Sequence, residues 1–306
     1  RALANAQQSL SGGTTSLRDL GGRDFLEFAV RDACNSGEQF GPTIRAAGQI
    51  ICMTGGHGNQ HGRVADGLDE VVKAVREQIH AGSDVIKLMA TGGVMTPGVN
   101  PEDAHYSENE LRVGVEEGHR FHRTCASHAQ GSAGILNAVR AGMDSIEHGI
   151  FMNDECVELM LSKGTYLVPT LSALLNILVN ADQGIPKYVV EKTERIKDRH
   201  KESVLMFHRA GGKIAMGTDA GTPFNLHGKN QQELKYMLEL GIPEKDALVS
   251  ANANAADLLG MPDRGRIVEG AYADLLIVDG NPLEDISMVS DPGNHRMVIK
   301  NGIPVS

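Results

Sequence analysis

Short runs of apolar and β-branched residues alternate with amphipathic stretches along most of this chain, and that alternation admits few folds. Strand-like runs occupy 14–20, 50–54, 84–90, 124–129, 145–148, 166–170 and 213–218. Between them apolar residues recur at helical spacing over 67–81, 107–123, 131–141, 154–163 and 187–210. Several of these stretches end in Ala-Gly or Lys-Gly, the expected stop of a helix. Strands alternating with helices make βαβ units and a parallel sheet. The expected fold class is α/β, a (β/α)8 TIM-type barrel with seven of its strands visible and the first expected upstream of residue 1. A doubly wound open sheet is the alternative. The absence of a Gly-x-Gly-x-x-Gly turn after the first strand weakens it.

The barrel is expected over residues 1–262, with helices at 230–240 and 244–259 near its end. A small β-rich portion, of β-sandwich type, is expected over 263–306, where 273–280 and 297–305 read as strands. A sheet of those strands alone would be thin, so partner strands are expected from elsewhere. The four cysteines, Cys34, Cys52, Cys125 and Cys156, form no CxxC pair and read as buried free thiols. A net charge of −10 argues against nucleic acid as the main partner. No run is apolar and long enough to span a membrane. The opening residues lack the apolar core of a signal peptide, which leads to a cytoplasmic expectation, and they read as the middle of a helix.

Polar residues stand at the ends of four separate apolar runs: Lys87, His128, His148 and Asp219. Buried charges and imidazoles are costly unless paired or bound to metal. Taken singly, each has a plain explanation. Lys87 would pair with a carboxylate, His128 and His148 would be satisfied core histidines, and Asp219 would cap the helix that follows. In a parallel barrel, however, all four strand ends reach one face, where active sites lie. Their joint placement points to metal-assisted hydrolysis.

Other residues fall around that face. His57 and His61 sit in the glycine-rich loop after 50–54, and the glycines there permit close approach to a ligand. Tyr106 follows the long loop 92–104, a candidate lid or pocket wall. His227 follows Asp219 closely. His57, Tyr106 and His227 are the candidate substrate contacts. Arg18 and Asp19 end the first visible strand, as an ion pair or as substrate contacts. Ser107 and Glu110 read as a helix capping box. His80, His119, His122, His200 and His208 fall on helices and read as solvated.

The ordered motifs resemble the amidohydrolase superfamily, in the branch that holds imidazolonepropionase-like enzymes and Xaa-Pro or Xaa-Arg dipeptidases. They are Thr14-Thr-Ser-Leu-Arg-Asp-Leu-Gly-Gly, Thr54-Gly-Gly-His-Gly, Ile86-Lys-Leu-Met-Ala-Thr-Gly-Gly and Ser127-His-Ala-Gln-Gly. Ser145-Ile-Glu-His-Gly, Val168-Pro-Thr-Leu, Gly217-Thr-Asp-Ala-Gly-Thr-Pro and the segment from Gly270 to Pro282 complete the series. The resemblance implies two divalent metal ions, zinc first, bridged by a CO2-derived carbamate on Lys87. It implies His128 and His148 as ligands of the second ion, and Asp219 as ligand of the first and proton shuttle. The family's His-x-His pair on strand one does not occur in this sequence and would lie before Leu3. One ion only, or an inactive fragment, is the expectation if that pair is absent altogether.

The chemistry fits the residue types. A neutral lysine cannot bridge two cations, whereas a carbamate supplies two oxygens and a negative charge. Neutral imidazoles bind metal at ordinary pH. The expected activity is hydrolysis of a small-molecule substrate, a dipeptide or N-acyl amino acid, by a dipeptidase or carboxypeptidase-like enzyme. A cyclic amide, lactone or amide-linked xenobiotic is the alternative substrate. The resemblance also implies a homo-oligomer.

Overall fold

The structure is a computed structural model, and residues 1–305 are described. Helix α1 (Ala2–Ser11) leads into β1 (Ser16–Asp19), then α2 (Leu26–Asn35) and β2 (Thr43–Ala46), which pairs with β1 in parallel. A second parallel sheet carries β3 (Ile51–Cys52), β4 (Arg63–Val64), β5 (Val85–Met89), β6 (Thr124–Ala129), β7 (Ser145–His148) and β8 (Tyr166–Val168), in the order β4-β3-β5-β6-β7-β8. The two sheets meet where the Asp84 amide donates to the Ala46 carbonyl and the Asp84 carboxylate accepts from the Ala46 amide. This is the (β/α) barrel arrangement. Helices α3 (Gly67–Ala81), α4 (Glu108–Arg120), α5 (Ser132–Ala141) and α6 (Asp154–Lys163) cover its outside. Every residue of β5, Val-Ile-Lys-Leu-Met, is buried, as expected for a strand covered on both faces.

Local sequence explains these elements. Ser107 and Glu110 form the expected capping box at the start of α4. Gly82, Gly142 and Gly164 end α3, α5 and α6 in the left-handed conformation. All four cysteines are free and buried.

Two expectations need correction. The third barrel position is filled first by β2, and the run at 50–54 supplies only the two-residue β3. The chain breaks between them at Gly48, with φ 78°, so no continuous apolar run marks the strand. The run at 213–218 makes only a bridge, Leu167 to Ile214, rather than a regular strand. Its Lys213 carbonyl and Ala215 amide bond to Leu167 of β8. On its other edge the Met216 amide donates to Ser250 and the Ile214 carbonyl accepts from Asn254. Those two partners belong to a π-helical turn, Ser250–Asn254, set between α10 (Glu244–Val249) and α11 (Ala255–Leu258). An irregular helix thus satisfies backbone groups that a strand would otherwise pair.

Over the barrel mouth lie α7 (Leu171–Val179) and the long α8 (Lys187–Arg209), followed by α9 (Gln232–Glu239). The C-terminal segment forms one three-stranded antiparallel sheet, β9 (Leu275–Val278), β10 (His295–Lys300) and β11 (Ile303–Pro304), after the short helix α12 (Ser287–Ser290). Lys300 ties it to the barrel: its buried ammonium donates to Thr43 of β2 and to Asp274, which also binds Arg264.

Helix α7 has no capping side chain of its own. Its first amides, Leu171 and Ser172, donate instead to the carboxylate of Glu233 on α9, at 2.6 and 2.8 Å. Glu233 is fully buried, and that burial pushes its carboxyl up to about 7 despite these donors. The folded protein therefore keeps a proton that the unfolded chain loses above its ordinary value of 4.5. Stability contributed by this group falls as pH rises between about 4.5 and 7, with a slope of at most about 1.4 kcal/mol per pH unit. Denaturant unfolding of Glu233→Gln across that window is expected to lack this component. An identical slope in variant and wild type would contradict it.

Candidate active site

The strand ends converge as the sequence suggested. Lys87 lies in β5, His128 near the end of β6 and His148 at the end of β7, and register places Lys87 beside Ala126 and Ala129 beside His148. The rings of His128 and His148 stand edge to face at 4.7 Å between centroids. The His57 ring lies against His128 at 4.5 Å, so three imidazoles form one continuous cluster.

The backbone at these strand ends is strained. His148, Thr170 and Asp219 all sit at positive φ, 75°, 52° and 56°. That conformation is rare outside glycine, and rarer still for a β-branched threonine. It turns each chain sharply just where the imidazoles and Asp219 gather.

Hydrogen bonds decide which ring nitrogens are free. His128 Nε2 meets the Gly92 carbonyl at 2.7 Å. A carbonyl only accepts, so Nε2 carries the proton and Nδ1 keeps a lone pair. His148 Nδ1 meets Thr170 Oγ1 at 2.6 Å, and that hydroxyl gives its own proton to the Pro169 carbonyl. Nδ1 of His148 therefore donates and Nε2 is free. Partners that fix the outer nitrogen in this way set the tautomer of metal-binding histidines.

Burial keeps the three imidazoles uncharged. Burial, with the neighbouring imidazoles and Lys87, holds His128 and His148 well below the ordinary histidine range. Burial lowers His57 to about 4, helped by His105, Lys192 and Lys87. Lys87 is 6% exposed. Its ammonium is brought down to about 8 by burial, against the attraction of Glu147 and Asp219. Beneath it Glu147 accepts from Arg18 at 2.7 Å and from Ser145 at 2.7 Å. Arg18 is thus an internal ion-pair partner. Asp219 is ringed by protein yet open to water at the mouth. Burial raises its carboxyl, Lys87 opposes that rise, and the water on its open side tempers it.

Other candidates are placed differently. Tyr106 is 1% exposed in the main core, and its hydroxyl donates to the Ala65 carbonyl at 2.7 Å. The structure does not bring it to the imidazole cluster. His227 is half-buried, 3.4 Å from the Ser9 hydroxyl of α1 and close enough to Asp19 to feel its charge. His61 pairs with Arg23 at 2.6 Å.

His200 corrects the expectation of a solvated surface residue: it is buried, and its Nε2 donates to the His148 carbonyl at 3.0 Å. The signal was available in the sequence. Val189, Thr193, Ile196, His200, Ser203 and Phe207 lie three or four apart and form the buried stripe of α8.

The donor set fits divalent metal: two neutral imidazoles with free lone pairs, a carboxylate, and a lysine whose amine is easily uncharged. A second cluster does not. At the N-terminal ends of β6 and β7, ligand atoms of His119, Cys125 and Asp144 lie within 4.8 Å of one another. Asp144 already accepts from His119 at 2.8 Å and from the Cys125 amide at 2.7 Å. Burial pushes the Cys125 thiol far up, so it keeps its proton. These residues staple two strands together.

The chain matches the amidohydrolase family over residues 1–305. It is 35% identical to an ochratoxinase of Aspergillus niger over 96% of its own length and 66% of that protein. The chain thus spans about 66% of the length of the curated relatives it matches first. Among solved structures, a Xaa-Pro dipeptidase with bound methionine in its active site has a TM-score of 0.90 at 36% identity, covering 98% of this chain and 77% of that one. A prolidase complexed with N-methylphosphonate-L-proline has a TM-score of 0.92 at 33% identity, covering 99% and 78%.

Gly93 is a local test of the cluster. A Cβ there would stand 2.5 Å from His57 Nε2, which is closer than any real contact. A crystal structure of Gly93→Ala is expected to show the His57 ring displaced from His128. A stacking distance unchanged from 4.5 Å would contradict that close packing.

Proposed function

This chain belongs to the amidohydrolase family, and on that premise we propose that it is a metal-dependent hydrolase of peptide and related amide bonds. The observation that carries this reading is the pair of tautomers set at the strand ends: Gly92 and Thr170 hold the outer nitrogens of His128 and His148, and the free nitrogens are left for a cation. Lys87 as its carbamate, His128, His148 and Asp219 would hold divalent ions, zinc first. Bound there, such ions would polarise a substrate carbonyl and lower the pKa of water.

The chain's own residues supply the remaining chemistry. The neutral amine of buried Lys87 attacks CO2: its lone pair forms the C–N bond, one C=O π pair moves onto oxygen and an N–H proton is released, so a neutral amine becomes an anionic carbamate. Asp219 takes a proton from the attacking water at a carboxylate oxygen and delivers it to the leaving nitrogen. His57 contacts the bound substrate from the loop side, and His227 does so from the rim near Asp19. Tyr106 supports the wall through Ala65. Buried Glu147, paired with Arg18, maintains a negative field under Lys87.

Dipeptides are the favoured substrates, because a Xaa-Pro dipeptidase and a prolidase share this fold closely. The likeness to an ochratoxinase keeps ochratoxin beside dipeptides and N-acyl amino acids as candidates. A panel of these substrates, assayed with wild type and Lys87→Ala, tests the reading. Lys87→Ala is expected to lower turnover by more than about 100-fold, beyond the loss from a merely supporting residue. Unchanged turnover in that variant would overturn the assignment.

A further inference from the structure

A second hydrophobic core, separate from that of the barrel, lies over the mouth. Val94 of the loop 92–104 packs there with Ile150 after β7, Leu174 and Ile177 of α7, and Val189 and Ile196 of α8. Helix α8 carries the polar contacts of this layer. Tyr188 donates to the Met95 carbonyl at 3.0 Å, and Arg195 meets Glu102 at 3.0 Å. Between them Lys192 points its ammonium at three carbonyls of the loop: Val99 at 2.6 Å, Thr96 at 2.8 Å and Gly93 at 3.4 Å. An ammonium has three donors, and here each has an acceptor. Residues eight and eleven positions further on, His200 and Ser203, hold the His148 carbonyl and the Met152 amide.

The loop so gathered touches the imidazole cluster at two points. Its Gly92 carbonyl fixes His128 Nε2, and its Thr96 hydroxyl stands 2.8 Å from His57 Nδ1 and accepts from the Gly58 amide. The base of the loop is closed by its own bonds, Gly92 amide to Asp103 carbonyl, Asp103 amide to Asn100 carbonyl and Asn100 side chain to Asp103 carboxylate. The carbonyls of Gly93, Met95, Thr96 and Val99, in contrast, are met from α8, and Val94 is the loop's contribution to the apolar layer.

We propose that Lys192 is a positioning residue: by collecting the carbonyls of Gly93, Thr96 and Val99, it fixes the loop in the conformation that aligns His57 and His128 for substrate. This inference rests on the reading of His57 and His128 as site residues. Lys192 acts through Thr96 and Gly92 and touches no substrate itself. A neutral side chain of similar length would leave three carbonyls without their shared donor and free the loop to move.

The test compares Lys192→Met, Lys192→Arg and Thr96→Val in the intact protein by two readouts. Amide hydrogen exchange of 92–104 reports the clamp without reference to activity. Steady-state kcat and KM report positioning. Lys192→Met is expected to speed exchange at 93–99 by about tenfold or more, with the barrel strands unchanged. It should lower kcat/KM by about 10- to 100-fold. Lys192→Arg, which keeps the charge, should recover much of both. Thr96→Val, which keeps the clamp but removes the link to His57, should lower kcat/KM while exchange stays near wild type. Unchanged exchange in Lys192→Met would overturn the clamp. A loosened loop with unchanged kcat/KM would overturn the positioning role. If wild type cleaves no amide substrate, the functional reading fails, and the exchange result still decides the clamp.

Discussion

A lysine amine buried at the centre of a parallel barrel is the constraint on which the rest of the structure turns. Lys87 has barrel walls around it, a paired carboxylate beneath it and imidazoles above. Water is excluded, so a lasting positive charge there is costly. The protein answers by lowering the basicity of Lys87 and of the imidazoles of His57, His128 and His148. It leaves free lone pairs on two histidines and keeps carboxylates within reach. Such a site offers unprotonated donors, and the proposed metal binding rests on them.

Precision in the site comes from outside the barrel. The barrel supplies the strand ends, but Gly92, Thr96 and Thr170 set the orientation of the rings, and each belongs to a connecting segment. Those segments are held in turn by a roof of α7 and α8 with its own apolar core. Glu233 anchors α7 at its first turn, and Lys192 and His200 reach down from α8. Left-handed residues at three strand ends carry strain that the roof holds in place. The site is thus a shared product of two cores.

Much of this was legible in the sequence. The alternation of apolar runs with helical stripes identified the barrel, and Lys87, His128 and His148 meet because parallel strands end on one face. Strand β2 was not legible, because it is only four residues long, Gly48 separates it from β3, and β3 is too short to complete a pattern. Helix α7 was hidden because Leu-Ser-Ala-Leu-Leu-Asn-Ile-Leu-Val is apolar except at Ser172 and Asn176, too few polar positions to mark a helical period. Helix α2 begins from Phe25 in a left-handed conformation with no capping side chain, so it lacked a start signal. Tyr106 was misplaced for a different reason. Proximity to a loop in sequence does not tell which face a side chain takes, and its ring found the core. The tautomers of His128 and His148 depend on carbonyl and hydroxyl partners brought from other segments, which no single motif displays.

The central claim is that the strand-end cluster binds metal, and elemental analysis of the purified protein tests it most directly. About one to two divalent ions per chain are expected in wild type, as for a metal-assisted hydrolase. Those ions should be lost from a His128→Ala, His148→Ala variant that remains folded by circular dichroism. No bound metal in wild type after supplementation with zinc, or the same content in the folded variant, would contradict it.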